Sequence, residues 1–418
     1  MTNRTHRRRQ NKAARGFSPV AALCCLALGA CGADNSAPDS PQPNDSPGAS
    51  PLETATEWPL YRGTRGLGGV AAGNLPAQPE LLWTFAAEGA ITSSPVVAKG
   101  RVYFGSDDNN LYCVDADNGV LQWSFPTEDI IEAPPSVVDG TVYVGSNDYF
   151  FYAIDAITGQ LRWKFETGDK IMGAANYLTT DKGVIIFFGS YDASLYGLDA
   201  ATGDKLWQYT TDNYINGTPA VDGDLTCFGG CDAVLHVVSV SSGQGVAAIT
   251  LEQDCHIAGS AATENGRAYF GHYGNQFVCL DLAAQKILWH YDSPRSAFFS
   301  SPALTQDRVV FGGRDKQLHC VEKATGKPLW TFRTGRKVDS SPVVCGDDVV
   351  FGSGDGRLYI LELQSGQERW SYDIGKALVS SPAVVAGKIY IGSNDSKLYA
   401  FGPGPASHAN PATDPGNR

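Results

Sequence analysis

The sequence predicts an all-β fold, an eight-bladed β-propeller of four-stranded blades, and three observations carry that prediction. Short β-branched and aromatic segments, punctuated by Gly, Asp and Asn, recur without any helical period, which is the grammar of strands and hairpins. The glycine closing each Val-Tyr-Phe-Gly-Ser-like segment falls at Gly105, Gly145, Gly189, Gly229, Gly271, Gly312, Gly352 and Gly392, at spacings of 40 to 44 residues. Four strands in a unit of about 40 residues is the propeller signature. Finally, Ser380 to Gly402 supplies three strands and stops, whereas Leu81 to Phe85 is a Trp strand with no module before it. Pairing of that N-terminal Trp strand with the C-terminal strands completes one blade, closes the ring and removes an open edge.

Composition agrees. The 418 residues are 43% hydrophobic and 11% aromatic with only 2 Met, which excludes a disordered chain and a coiled coil. The formal net charge is -12, and the first 30 residues hold 6 of the 32 basic residues and no acidic ones, so the remainder carries 26 against 44, or -18. A body that acidic repels nucleic acid and anionic headgroups, so no nucleic-acid partner is expected.

Residues 1–30 read as a targeting segment. Arg4, Arg7, Arg8, Arg9, Lys12 and Arg15 form a basic region, and the apolar run from Phe17 to Ala30 is too short to span a bilayer permanently. It ends in Leu28-Gly29-Ala30-Cys31, which resembles the lipobox of bacterial lipoproteins. That resemblance implies a lipid on Cys31 and membrane attachment through it; the other reading is a cleaved signal peptide with an incidental cysteine. Gly32 in second position resembles lipoproteins sent to the outer membrane. Residues 31–55 are rich in Pro, Ser, Asp and Asn and read as a flexible tether. Residues 56–80 are an approach segment, 81–402 the propeller, and 403–418 a disordered tail.

Within the propeller, Trp83, Trp123, Trp163, Trp207, Trp289, Trp330 and Trp370 mark one place in the outer strand, and Ala247 takes it in the degenerate copy. Motifs such as Gly140-Thr141-Val142-Tyr143-Val144-Gly145-Ser146-Asn147-Asp148, then Tyr152-Ala153-Ile154-Asp155-Ala156-Ile157-Thr158-Gly159 and Trp163, resemble the pyrroloquinoline quinone (PQQ) repeat family of eight-bladed propellers. The resemblance covers about three quarters of the chain, and it implies that the tryptophans dock blade against blade. The leader Trp58-Pro59-Leu60-Tyr61-Arg62-Gly63 is similar to one that precedes the first Trp strand in secreted relatives. A WD40 register does not fit, because no Trp-Asp pair occurs.

Two branches of that family set the functional alternatives. In the dehydrogenase branch a flat anionic PQQ and a calcium ion lie on the ring axis, within a wall built from long insertions and an adjacent cysteine pair. Here the loops are minimal and the only adjacent pair, Cys24 and Cys25, lies in the targeting segment. The resemblance therefore favours the other branch, the propeller lipoprotein of the outer-membrane β-barrel assembly machinery: a noncatalytic scaffold binding envelope proteins, with no cofactor expected. A PQQ-dependent dehydrogenase is the alternative. A sensor of small molecules or carbohydrates, using Tyr149, Tyr191, Tyr214, Phe298 and Phe299 near the ring mouth, is a third reading.

Turns into the first strand and between the second and third strands should open on one face. There blades one and two offer Glu88, Asp107, Glu128, Asp129 and Glu132, and blades six to eight offer Arg295, Arg314, Lys316, Arg336, Lys337, Arg357, Lys376 and Lys397. Such a basic sector suits an acidic peptide, phosphate or carboxylate, or is a rim neutralised by local ion pairs. The repeated Asp108, Asp148, Asp192, Asp232, Asp315, Asp355 and Asp395 are expected to cap their own hairpins.

Seven of the 10 cysteines fall in the propeller. Cys113, Cys279 and Cys320 share one inner strand position and read as buried small hydrophobes; Cys345 sits in a turn. Cys231, Cys255, His256 and His272 cluster at blades four and five, with three readings open: a disulfide between Cys231 and Cys255, unpaired thiols with incidental histidines, or a bound metal or haem.

Overall fold

A computed structural model describes residues 56–251, 255–257, 259–293 and 296–404. The targeting segment, Cys31, the tether and residues 405–418 lie outside them.

The described residues form eight antiparallel four-stranded sheets arranged as a propeller. Blade one is typical, with Val96–Ala98 innermost, then Arg101–Gly105, Asn110–Asp115 and Leu121–Pro126 at the rim. The middle strands are buried on both faces because each lies between two neighbouring blades; the outer strand alternates exposed and half-buried positions. That burial explains why the inner strands read as continuous apolar runs. Every outer strand bulges at the residue before the Trp position, as between Leu161 and Trp163. A bulge re-aims an exposed edge and discourages pairing with another chain.

The ring closes as the strand count requires. Glu80–Ala86 pairs antiparallel with Lys397–Gly402, setting Leu81 opposite Phe401 and Phe85 opposite Leu398. Blade eight thus takes its outer strand from the amino-terminal side and its other three from the carboxyl-terminal side.

Neighbouring blades lock through three recurring contacts. The glycine of each second strand leaves a hole, and a side chain from the next blade's inbound loop fills it, aliphatic in seven blades and Phe298 at Gly271: a Cβ on Gly105 would come within 2.2 Å of Ile131 Cγ2, and one on Gly145 within 2.2 Å of Ile171 Cγ2. The outer-strand tryptophans reach across as well. Trp83, Trp123, Trp163, Trp289 and Trp330 donate their indole N–H to the carbonyls of Ala116, Ala156, Ala200, Lys323 and Leu363 in the following blade, at 2.9 to 3.3 Å. Trp370 packs edge-on against Phe401, and the buried Trp207 Nε1 has no acceptor among the described residues.

The third contact circles the axis. The backbone N–H groups of Ser381, Ser341, Ser301, Ser260, Thr218 and Ala174 donate to the hydroxyls of Ser94, Ser381, Ser341, Ser301, Ser260 and Thr218 in the next blade, at 2.8 to 3.1 Å. The chain of links breaks where Pro134 has no N–H and Ala174 no hydroxyl. Within each blade, five of the seven repeated turn aspartates cap their hairpins, as Asp108 does for Asn110 N, whereas Oδ1 of Asp192 and of Asp395 has no partner among the described residues; all seven accept from a side chain four residues on: Tyr112, Tyr152, Tyr196, His236, His319, Tyr359 or Tyr399. These aspartates build the turns.

The approach segment does more than lead in. It winds once around the axis in blade order, offering backbone to the innermost strands. Trp58 pairs with Val97 of blade one, Pro59 O accepts from Val137 N of blade two, and Arg65 O accepts from Asn176 of blade three and Val221 N of blade four. Gly66 O, Gly68 O and Gly69 O then accept from Thr263, Leu304 and Val344 of blades five, six and seven. Val70–Ala71 adds a parallel fifth strand to blade seven, and Asn74 and Pro76 lie against Gly387 of blade eight. Cys345, read as a turn residue, closes the innermost strand Val343–Cys345, and its thiol donates to the carbonyls of Ala72 and Gly73 at 3.8 and 3.5 Å, so it holds the segment down.

Candidate functional site

With one end of the axis filled by its own leader, the propeller keeps a cavity at the other. It measures about 160 Å³ and is floored by Tyr61; its wall includes Ser94, Thr218, Ser260, Ser301, Ser341 and Ser381, with Asn216 and Asp339. The Tyr61 hydroxyl is shared with Ser301 Oγ at 3.3 Å and Ser341 Oγ at 3.1 Å. Below it, Arg62 is only 1% exposed and donates to the carbonyls of Ser341, Pro302 and Pro342.

This donor set does not fit a calcium ion with a flat anionic quinone. Asp339 is the one carboxylate in the wall among the described residues, and it is already held by Arg314 at 3.0 Å and Lys337 at 2.5 Å. Among the described residues no group of three or more His, Cys, Asp or Glu could hold a metal. The volume also falls below the roughly 300–1,000 Å³ of ordinary cofactor and ligand pockets.

The rim around the cavity is sorted by charge. Each inbound loop packs on the second turn of its own blade, as Glu88 N donating to Asp108 shows, so both turn classes share one face. On the acidic side, burial with help from Glu132 and Asp108 lifts the Asp107 carboxyl above its ordinary range, although Thr92 donates to it. On the basic side, Arg314 stacks 3.4 Å over Phe299, and Arg314 and Lys337 grip Asp339 while Arg357 pairs with Asp373 at 3.2 Å. Those three cations are a partly neutralised rim. Lys316, Arg336 and Lys376 are exposed and form no ion pair among the described residues; Arg295 lies outside them.

The structure separates the cysteine and histidine cluster. Cys231 and Cys255 are not bonded to one another, which removes the disulfide reading from this structure. Cys231 Sγ instead accepts from Asn216 Nδ2 at 3.1 Å. Cys255 lies buried beside the His272 ring, near enough that a Cβ on Gly274 would strike both. His272 is 2% exposed, its Nδ1 accepts from Gly274 N, and burial pulls its pKa down to about 4. His256 is exposed against Tyr273. Among the described residues, no group of three or more His, Cys, Asp or Glu converges there to hold a metal.

The aromatic candidates divide too. Phe298 is fully buried and belongs to blade packing, which corrects its placement at the mouth. Tyr191 and Tyr214 stack at 4.9 Å, and Tyr273, missed in that set, lies tilted against Phe299 at 4.4 Å.

The repeat geometry and the closed ring define a PQQ-type eight-bladed propeller. More narrowly, the chain belongs to the family of outer membrane protein assembly factor BamB, whose family model matches residues 71–254 and 232–407. Similar solved structures include BamB from Moraxella catarrhalis, at 21% identity and TM-score 0.65 over 78% of this chain and 98% of that one. A europium-containing methanol dehydrogenase aligns at 12% identity and TM-score 0.72, over 83% and 98% of the two chains. The quinohemoprotein alcohol dehydrogenase from Comamonas testosteroni aligns at 13% identity and TM-score 0.73, over 84% and 82%. At these identities the likeness shows the fold alone. No curated protein sequence matches the chain.

Proposed function

We propose that this protein is a noncatalytic scaffold of the cell envelope, tethered to the outer membrane through lipid on Cys31 and facing the periplasm, where it engages outer-membrane assembly proteins and needs no cofactor. The observation that carries this reading is the small axial cavity, plugged from one end by residues 58–74, whose single carboxylate is already paired. Membership of the BamB family supports the assembly role. Lys316, Arg336 and Lys376 carry charge with no local partner among the described residues, so blades six to eight are the sector offered to an acidic partner surface.

A photo-crosslinker placed at Arg336 in living cells is expected to capture an outer-membrane assembly protein, and one at Glu128 across the ring is not. Joint charge reversal of Lys316, Arg336 and Lys376 should abolish the capture; capture unchanged by reversal removes this sector from the proposal. Titration with PQQ and calcium separates the enzyme alternative. A calcium-dependent stabilisation, about 2.7 kcal/mol with ligand a hundredfold above its dissociation constant, would replace the scaffold reading with a dehydrogenase.

A further inference from the structure

We propose that the axial cavity binds one small protonated oxyanion of the phosphate class, held by the ring of serine and threonine hydroxyls above Arg62. The argument begins with proton bookkeeping. Each hydroxyl of Ser94, Thr218, Ser260 and Ser381 accepts a backbone N–H from the preceding blade and donates to no described residue. Tyr61, Ser301 and Ser341 share two hydrogen bonds among three hydroxyl protons, which leaves a fifth proton unspent. All six ring hydroxyls belong to buried residues and line the same cavity. Buried donors without acceptors are costly, so a set of five facing one space calls for an acceptor-rich guest.

Charge points the same way. Among the described residues Arg62, next in sequence to Tyr61, makes no ion pair and its Nε has no hydrogen-bond partner. A buried cation without a counter-ion is strongly unfavourable. Burial lowers its pKa to about 10, which leaves it charged at neutral pH. Asp339, in the wall, is held by two cations behind it, Arg314 and Lys337, whose charges together exceed its own. The cavity therefore sits in a net positive surround within a protein of net charge -12.

Size and one acceptor narrow the ligand. About 160 Å³ is too little for a large cofactor, yet it exceeds by severalfold the roughly 10–15 Å³ that one water needs. Asn216 Oδ1, in the wall, has no partner, since its Nδ2 is turned to Cys231. An oxyanion that keeps a proton can donate to it; a fully ionised one cannot. Hydrogen phosphate meets both requirements and sulfate only one.

The test is calorimetric titration of the full chain with inorganic phosphate, sulfate and chloride at constant ionic strength. Phosphate should bind once per chain and in preference to the other two. Thr218→Val, which removes one donor without changing shape, should weaken binding about tenfold; Asp339→Asn, which removes the opposing charge, should tighten it. Arg62→Met should abolish binding, and because that variant risks the fold, Thr218→Val and Asp339→Asn stand as independent tests. Arsenate soaked into crystals should give an anomalous peak on the axis above Tyr61. No phosphate binding, sulfate or chloride binding as tightly, indifference to Thr218→Val and Asp339→Asn, or an arsenate peak elsewhere would each overturn the assignment.

Discussion

Single residues here answer to partners one blade away, and the degenerate copy shows it. In six of the turns that follow the third strand the chain places a glycine with positive φ, such as Gly119 at 72°, and six of the tryptophans press on those glycines: a Cβ on Gly119 would lie 2.6 Å from Trp83. In blade five that turn position is Gln285, also at positive φ, 53°. The outer strand that would press on it belongs to blade four, where Ala247 replaces the Trp. Loss of the indole thus removes the steric demand for glycine while the left-handed backbone, which penalises a side chain, stays. Gln285→Gly should stabilise the fold by about 0.5–1 kcal/mol. Ala247→Trp alone should destabilise it and the double variant should recover, a non-additivity measurable in a double-mutant cycle of urea unfolding. His272 adds a pH dependence. The unfolded chain takes a proton near pH 6.5, whereas the buried imidazole resists until about 4. Its contribution is complete above 6.5 and is lost as pH falls towards 4, by at most about 3 kcal/mol. His272→Gln should flatten that part of the pH profile of the urea midpoint; an unchanged profile would contradict it.

At the scale of elements, what could be read from the sequence was whatever repeats. The Trp strand Leu81 to Phe85 lacked a module and the last module lacked a strand, so ring closure followed by counting. The seven Trp positions and the turn aspartates were equally plain. The inter-blade hydroxyl links were half visible, because Ser-Ser-Pro recurs but its hydrogen bonds reach backbone N–H groups that every residue type supplies. Ser381→Ala should leave Ser341 N without its acceptor and cost about 1–3 kcal/mol in urea unfolding. Ala174→Ser should gain nothing by itself, since Pro134 has no N–H to offer it. Combined with Pro134→Ser it should complete the circle and raise the melting temperature. The path of residues 58–74 left almost no trace in the sequence, for its contacts are carbonyl oxygens spent on innermost strands. Only Trp58, Tyr61 and Arg62 hinted that this stretch does more than connect. The cysteine and histidine cluster was only partly legible, because neighbouring positions in two blades put Cys255 beside His272 while Cys231 meets Asn216 and His256 meets Tyr273.

On the scale of the whole molecule, one face of the ring is acidic over blades one and two and basic over blades six to eight. The opposite end of the axis is occupied by the chain itself. Arrays of repeats ordinarily touch only their neighbours, and their stability is then a sum of unit and interface terms, so that part of the array can open while the rest persists. The leader changes that arithmetic here, because one continuous stretch of backbone bonds to the innermost strands of seven blades and lies against the eighth. No blade can leave without disturbing the thread that holds the others. The ring should therefore melt as one cooperative unit, with calorimetric and van't Hoff enthalpies equal. Deleting residues 56–76 should make the first exceed the second, as blades begin to unfold on their own account. For the envelope scaffold proposed above, that all-or-none behaviour would be a form of protection: there is no partly opened ring for a protease to seize.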